Sequence, residues 1–268
     1  MLDALIKTCI GTGFVFFMTA AGAAMVFLFK KRSSQSQTMF LGFAAGVMIA
    51  ASVWSLLIPA LEAGEESMGG ALGWIPAAGG FIIGILFMLL LDRFLPHLHP
   101  EENQVEGLPS NFKRSTLLMF AVTLHNIPEG MAVGLSYAVA AQHIGGEAAG
   151  NYAGAFALAI GMGLQNFPEG AAVSLPLYKE GLSKRKAFTW GALSGIVEPI
   201  FGIGVVLISA WILPLMPWLL AFAAGAMMYV VVEELIPEAH LSEHSHRATI
   251  SVLGGFLVMM VLDVVFGA

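Results

Sequence analysis

Apolar residues follow one another along this chain in long blocks, and short polar segments separate the blocks. A block of about 20 apolar residues is long enough to cross the roughly 30 Å hydrocarbon core of a bilayer as a helix. The strict alternation of apolar and polar residues that is typical of membrane β-barrel strands does not occur in the sequence. The pattern therefore predicts an all-α, polytopic membrane protein with eight transmembrane helices, at about residues 4–29, 39–61, 71–95, 114–140, 150–177, 187–211, 215–236 and 248–267.

Positive charges are unevenly distributed among the segments between these helices. Every second segment, which would lie on the same side of the membrane, carries nearly all of them, and Lys7 alone lies on the other side. By the positive-inside rule, the positively charged side is expected to be cytoplasmic. Eight spans then place both termini outside, in a single transmembrane domain over residues 1–268, in a plasma or bacterial inner membrane. The residues that set this orientation are Lys30, Lys31, Arg32, Arg93, Lys113, Arg114, Lys179, Lys184, Arg185, Lys186 and Arg247.

Composition supports a membrane protein and narrows its chemistry. Hydrophobic residues make up 57% of the 268 positions, charged residues 11%, and the mean hydropathy is +0.82. The net charge of -6 gives no reason to expect a nucleic-acid partner. Cys9 is the one cysteine, which excludes an intrachain disulfide and a cysteine-based zinc site.

Two of the predicted helices contain nearly the same polar motif. The first reads LHNIPEGMAVG at 124–134, and the second reads LQNFPEGAAVS at 164–174. A charged carboxylate at mid-bilayer costs about 2.5–3.5 kcal/mol on insertion scales, so Glu129 and Glu169 are expected to face the interior of the bundle beside a compensating partner. A single such motif could be a buried hydrogen-bonded pair with a protonated carboxyl, whereas its duplication favours a metal site.

The spacing of the polar residues shows what they could bind together. His125 and Glu129 are four residues apart and therefore share one helix face, with Asn126 on the adjoining face. Gln165, Asn166 and Glu169 repeat this arrangement. Facing each other, the two motifs would offer one imidazole, two carboxylates and three amide oxygens, a mixed set that suits divalent transition metals.

Two further residues are candidate ligands from other helices. Glu198 is a carboxylate inside the sixth predicted span, next to Pro199, and the same insertion cost applies to it. Met48 lies among small residues in the second span, where its soft sulfur becomes a candidate ligand beside a His and Glu cluster. A role in packing alone is the alternative for both residues.

The paired motifs, the eight spans and the histidines after the third span resemble the ZIP (Zrt/Irt-like) divalent-metal transporters, specifically their bacterial GufA-like branch. The resemblance implies a binuclear centre in which His125, Glu129, Gln165 and Glu169 surround one ion and Met48 adds a sulfur contact. It implies that Asn126, Asn166 and Glu198 join the two shared glutamates around the second ion. Roles in cytoplasmic release stay open for Asp92, His97, His99 and Glu234.

These observations predict a secondary transporter that moves divalent ions into the cytoplasm, zinc first, with iron, manganese or cadmium as alternatives. The partners expected are metal ions and the lipid bilayer, and a homodimer is left open. A channel-like metal conductor using the same ligands is the main alternative, followed by an intramembrane metallohydrolase. The sequence contains no His-Glu-x-x-His motif and no ATP-binding Gly-x-x-x-x-Gly-Lys-Ser/Thr loop, so no enzymatic activity and no catalytic residue are predicted.

Overall fold

The computed structural model describes residues 2–28, 34–94, 97–99, 104–106, 114–142, 148–179, 181–239 and 246–267. Almost all of these residues are helical. In chain order the helices are α1 (Leu2–Ala23), α2 (Met25–Leu28), α3 (Ser34–Ala51), α4 (Ile58–Met68), α5 (Trp74–Phe94), α6 (Arg114–Gln142), α7 (Ala148–Lys179), α8 (Lys184–Leu193), α9 (Val197–Ile212), α10 (Met216–Val230), α11 (Ile236–Glu238) and α12 (His246–Gly267).

Short irregular turns join several helices without a loop. A π-helical turn, Ser52–Leu57, joins α3 to α4, and a second one, Val231–Leu235, joins α10 to α11. A 3₁₀ turn, Ser194–Ile196, joins α8 to α9, and another, Leu213–Leu215, leads into α10. The segment after α5 contains two short antiparallel strands, β1 (His97–His99) and β2 (Gln104–Glu106), in which His97 pairs with Glu106.

Six stretches of the described chain are long and apolar enough to cross a membrane. They are Leu2–Leu28, Leu41–Met68, Trp74–Leu91, Lys184–Ile212, Met216–Glu233 and His246–Val265. Helix α7 is not among the six although it contains 32 residues, because the polar residues of its motif lower its mean hydropathy. The described side chains of α6 do not form a stretch long enough for the same comparison. The prediction of a helical, multi-pass membrane protein is confirmed.

The helices do not end where the predicted spans end. Helix continues past residue 61, the end of the second predicted span, to Met68, because Ala and Glu residues in this stretch favour helix. The sixth predicted span is interrupted at Ser194–Ile196. Pro199 lies in the first turn of α9, where its missing N–H has no partner within α9 to lose.

The helices pack most extensively in four pairs, α3 with α12, α1 with α7, α5 with α10, and α6 with α9. Each pair meets at a glycine where an added Cβ would overlap the backbone of the partner helix. Small residues of this kind allow close packing where lipid provides no hydrophobic driving force between helices. The glycines are Gly46 in α3, Gly22 in α1, Gly84 in α5 and Gly134 in α6.

The helices can be assigned to two groups, although their contacts do not separate the groups. In the first group α1 packs against α6, α7, α8 and α9, and the second group consists of α3, α4, α5, α10 and α12. Helices α3 and α12 pack mainly against each other and contact α7 more than they contact α5 or α10. Contacts of α7 with α3 and α12, and of α6 with α10, connect the two groups. The first group carries both polar motifs and Glu198, and Met48 lies in the second group.

Candidate metal centre

Helices α6, α7 and α9 bring the predicted carboxylates together. Glu129 lies in α6, Glu169 lies in α7 and Glu198 occupies the first turn of α9. All three are buried, with exposed fractions of 2%, 9% and 0%. The first turn of a helix is a favourable place for a carboxylate, because the positive end of the helix dipole lies there.

A close approach of two backbones sets Glu198 beside Glu129. Gly130 follows Glu129 directly, and a Cβ at Gly130 would overlap the backbone carbonyl and Cα of Glu198. Helix α6 can therefore touch α9 here only because residue 130 has no side chain. Glu129 and Glu198 are close enough to repel each other electrostatically, and so are Glu198 and Glu169.

Amide groups from α7 link these carboxylates. Gln165 Nε2 donates a hydrogen bond of 2.6 Å to Glu129 Oε2, and it also donates to Asn166 Oδ1. Asn166 Nδ2 donates a hydrogen bond of 2.6 Å to Glu198 Oε1. Because both amides are buried, these bonds form a continuous polar network from α6 through α7 to α9.

Two buried side-chain oxygens, one in this network and one on α6, have no hydrogen-bond partner. Asn126 Nδ2 donates to the backbone oxygen of Ser194 at 3.2 Å, which leaves its buried Oδ1 without a partner. Glu198 Oε2 is likewise buried and unpartnered. Buried polar atoms are nearly always satisfied in native structures, and such oxygens are ligands that divalent cations accept. The donor set therefore fits a cation as cargo.

Carboxylates alone do not complete this site. Among the side chains that the structure describes, no three His, Cys, Asp or Glu residues are grouped so that they could hold a metal ion. The sequence predicts amide oxygens as further ligands, from Asn126, Gln165 and Asn166, and this assignment stays a prediction. The side chain of His125 lies outside the described part of the molecule, and its backbone lies in α6 next to Asn126.

The other predicted residues occupy several positions. Met48 is 1% exposed in α3, a helix that packs against α7. Asp92 lies in α5, Glu234 in the π-helical turn after α10, and His97 and His99 in β1. The side chains of these four release candidates lie outside the described residues, so their roles stay predictions.

The structure adds polar residues that the sequence reasoning missed. Thr19 in α1 accepts a hydrogen bond of 3.1 Å from Asn166 Nδ2, and Ser194 provides the backbone oxygen for Asn126. Farther away, Ser55 Oγ donates a hydrogen bond of 2.6 Å to Asp263, which joins the first π-helical turn to α12. Asp263 is a carboxylate inside an apolar block, so the insertion cost that singled out Glu129 would also have identified it.

Comparison with known proteins gives the same family as the paired motif. Residues 5–111 and 108–263 match the family model described as ZIP Zinc transporter. The zinc transporter ZIP11 of Homo sapiens is 36% identical, with 99% of this chain and 98% of that relative covered. The zinc transporter ZIPB of Bordetella bronchiseptica is 37% identical over 94% of this chain and 79% of that relative.

The resemblance to the GufA-like branch is also confirmed. The zinc transporter GufA of Myxococcus xanthus is 34% identical, and the match covers 93% of this chain and 94% of that relative. All three relatives are named as transporters, in agreement with the prediction that the chain is not an enzyme. With matches over nearly its whole length, the chain belongs to the ZIP zinc transporter family.

Proposed function

We propose that this protein is a secondary transporter that carries divalent transition-metal ions, zinc first, into the cytoplasm through a binuclear centre at the bilayer midplane. In this proposal all eight predicted segments span the membrane and both termini lie outside. The observation that carries the proposal is the burial of Glu129, Glu169 and Glu198 in the interior of the helix bundle, with Glu198 near each of the other two and with an unpartnered oxygen on Glu198. Without a cation, three neighbouring carboxylates in a low-dielectric interior would be costly.

The ligands divide between two ions. His125, Glu129, Gln165 and Glu169 surround the first ion, to which Met48 adds a sulfur. Asn126, Asn166 and Glu198 bind the second ion together with the shared Glu129 and Glu169. The unpartnered oxygens of Asn126 and Glu198 support this division, because both residues are proposed ligands of the second ion.

Transport requires the ion to exchange its water for these ligands and then to leave them. Carboxylate and amide oxygens replace the lost hydration. Because two glutamates are shared between the ions, each ion can leave some of its ligands while it is still bound by the others. The first group of helices carries every predicted ligand except Met48 and packs against the second group mainly through α6 and α7. Rocking of one group against the other would expose the centre to one side of the membrane at a time.

A metal panel tests the function directly. Purified protein in liposomes is expected to take up zinc with saturation at roughly 1 μM–1 mM metal, the usual range for a binding-limited process. Uptake of iron, manganese and cadmium is measured in parallel by elemental analysis, with internal pH recorded. Flux that rises linearly with concentration would instead favour a channel-like conductor. Absence of uptake for every metal, in folded protein, would contradict the proposal.

Removal of the Met48 sulfur is expected to change metal preference. Met48→Leu conserves the volume of a buried side chain and replaces a soft thioether by a hydrocarbon. We expect the ratio of cadmium to manganese uptake to fall by roughly tenfold, equivalent to about 1.4 kcal/mol of preference. Met227→Leu is the matched control, since Met227 is equally buried, in α10. An unchanged ratio in Met48→Leu would remove Met48 from the ligand set.

A further inference from the structure

Thr19 is enclosed at the level of the carboxylates by two close backbone approaches. A Cβ at Gly170, the residue after Glu169, would overlap the backbone oxygen of Thr19. A Cβ at Gly195 would lie 2.9–3.0 Å from the Thr19 side chain. The threonine is 0% exposed. Helix α1 is therefore held between α7 and the 3₁₀ turn that leads to Glu198, and the Thr19 side chain has little room to move.

The Thr19 hydroxyl group contacts two of the proposed ligands. Its Oγ1 accepts from Asn166 Nδ2 at 3.1 Å, and it donates to Glu198 Oε1 at 3.3 Å, with the backbone oxygen of Val15 at the same distance as an alternative acceptor. Asn166 thus points its NH₂ group at Thr19 and Glu198 and keeps its Oδ1 on the side of Gln165. Glu198 Oε1 accepts hydrogen bonds from Thr19 Oγ1 and Asn166 Nδ2, and Glu198 Oε2 has no partner.

We propose that Thr19 is a positioning residue for the second ion of the centre: its hydroxyl group holds Asn166 and Glu198 so that Glu198 Oε2 has no protein partner and Asn166 Oδ1 faces away from Thr19. This inference rests on the proposed function, since it assumes a second ion. Without the hydroxyl group, Asn166 Nδ2 loses one of its two acceptors and keeps only Glu198 Oε1. Glu198 loses one of the two donors that occupy Oε1. Residues that hydrogen-bond to metal ligands are typically worth about 10–100-fold in metal affinity.

The test compares three variants of the full-length protein in equilibrium zinc binding, measured by calorimetry in detergent. Thr19→Val keeps the branched shape and removes the hydroxyl group, and Thr19→Ser keeps the hydroxyl group. Thr12→Val is the control, because Thr12 is an equally buried residue of α1 whose hydroxyl group bonds only the Thr8 backbone oxygen, at 2.7 Å. We expect Thr19→Val to weaken the affinity for the second ion by roughly 10–100-fold, while the affinity for the first ion changes by less than about twofold. Thr19→Ser is expected to restore the affinity for the second ion.

Other outcomes would overturn the inference. Equal weakening of both ions in Thr19→Val, or no rescue by Thr19→Ser, would show that residue 19 acts through packing. Two ions bound with unchanged affinity in Thr19→Val would overturn the inference and leave the binuclear centre intact. Wild-type protein that binds a single ion would instead overturn the binuclear centre, and the inference with it.

Discussion

Glu129→Gln is expected to reduce zinc uptake into liposomes by about 100-fold or more, since even the partners of metal ligands are worth about 10–100-fold in metal affinity. The change keeps the size of the side chain and removes one negative charge from a centre in which Glu129 is proposed to be shared by both ions. The change also replaces the carboxylate that accepts a hydrogen bond from Gln165 Nε2 by an amide. Uptake is measured as initial rate against zinc concentration.

Glu66→Gln is the control for this prediction, because Glu66 is a solvent-exposed carboxylate at the end of α4. The control is expected to transport at close to the wild-type rate. Thermal unfolding of each variant in detergent separates a loss of transport from a loss of folding. Wild-type uptake by folded Glu129→Gln protein would rule out the midplane centre as the path of the ion.

Gly130→Ala is expected to destabilise the protein by about 3 kcal/mol, at the upper end of the usual cost of about 1–3 kcal/mol for overpacking. The added methyl group would overlap the backbone of Glu198, and backbone atoms cannot move aside as the end of a side chain can. Separation of α6 from α9 would also move Glu198 away from Glu129, so transport should fall together with stability. The unfolding temperature in detergent and the zinc uptake rate are the two measurements.

Gly204→Ala is the matched control on α9. A Cβ at Gly204 meets nothing within 4 Å, so this substitution adds a methyl group without overlap. It should leave transport unchanged and raise stability slightly, because Ala in a helix is favoured over Gly by roughly 0.5–1 kcal/mol. Equal unfolding temperatures for Gly130→Ala and wild type would mean that α6 and α9 do not touch at residue 130.

The burial of the polar motif could be predicted from the cost of inserting a carboxylate into lipid. That cost alone requires Glu129 and Glu198 to point inward, and the structure buries both. The duplicated motif also predicts that amides accompany the carboxylates, as Gln165 and Asn166 do. Helical spacing, however, relates residues only along one helix. It could not show that Asn166 bonds Glu198 or that Thr19 joins them, because these contacts depend on how α1, α7 and α9 pack.

The irregular turns could not be predicted from the sequence, for a different reason. Long apolar blocks predict a span, and the residues of Ser52–Leu57 and Val231–Leu235 are as compatible with an α-helix as with a π-helical turn. Such turns are rare and have no sequence signature in these two segments. The interruption before α9 had a weak signal in Ser194 and Gly195, residues that disfavour the interior of a helix.

The division of the bundle into two groups of helices has an evolutionary consequence. Every oxygen donor proposed for the ions belongs to α6, α7 or α9, and Thr19 on α1 supports them. If the proposed function holds, mutations in these four helices, or at Met48 in α3, would alter which element is carried while most of α3, α5, α10 and α12 continues to anchor the protein. Nutrient preference could then diverge among descendants of one ancestral gene with little change in membrane architecture.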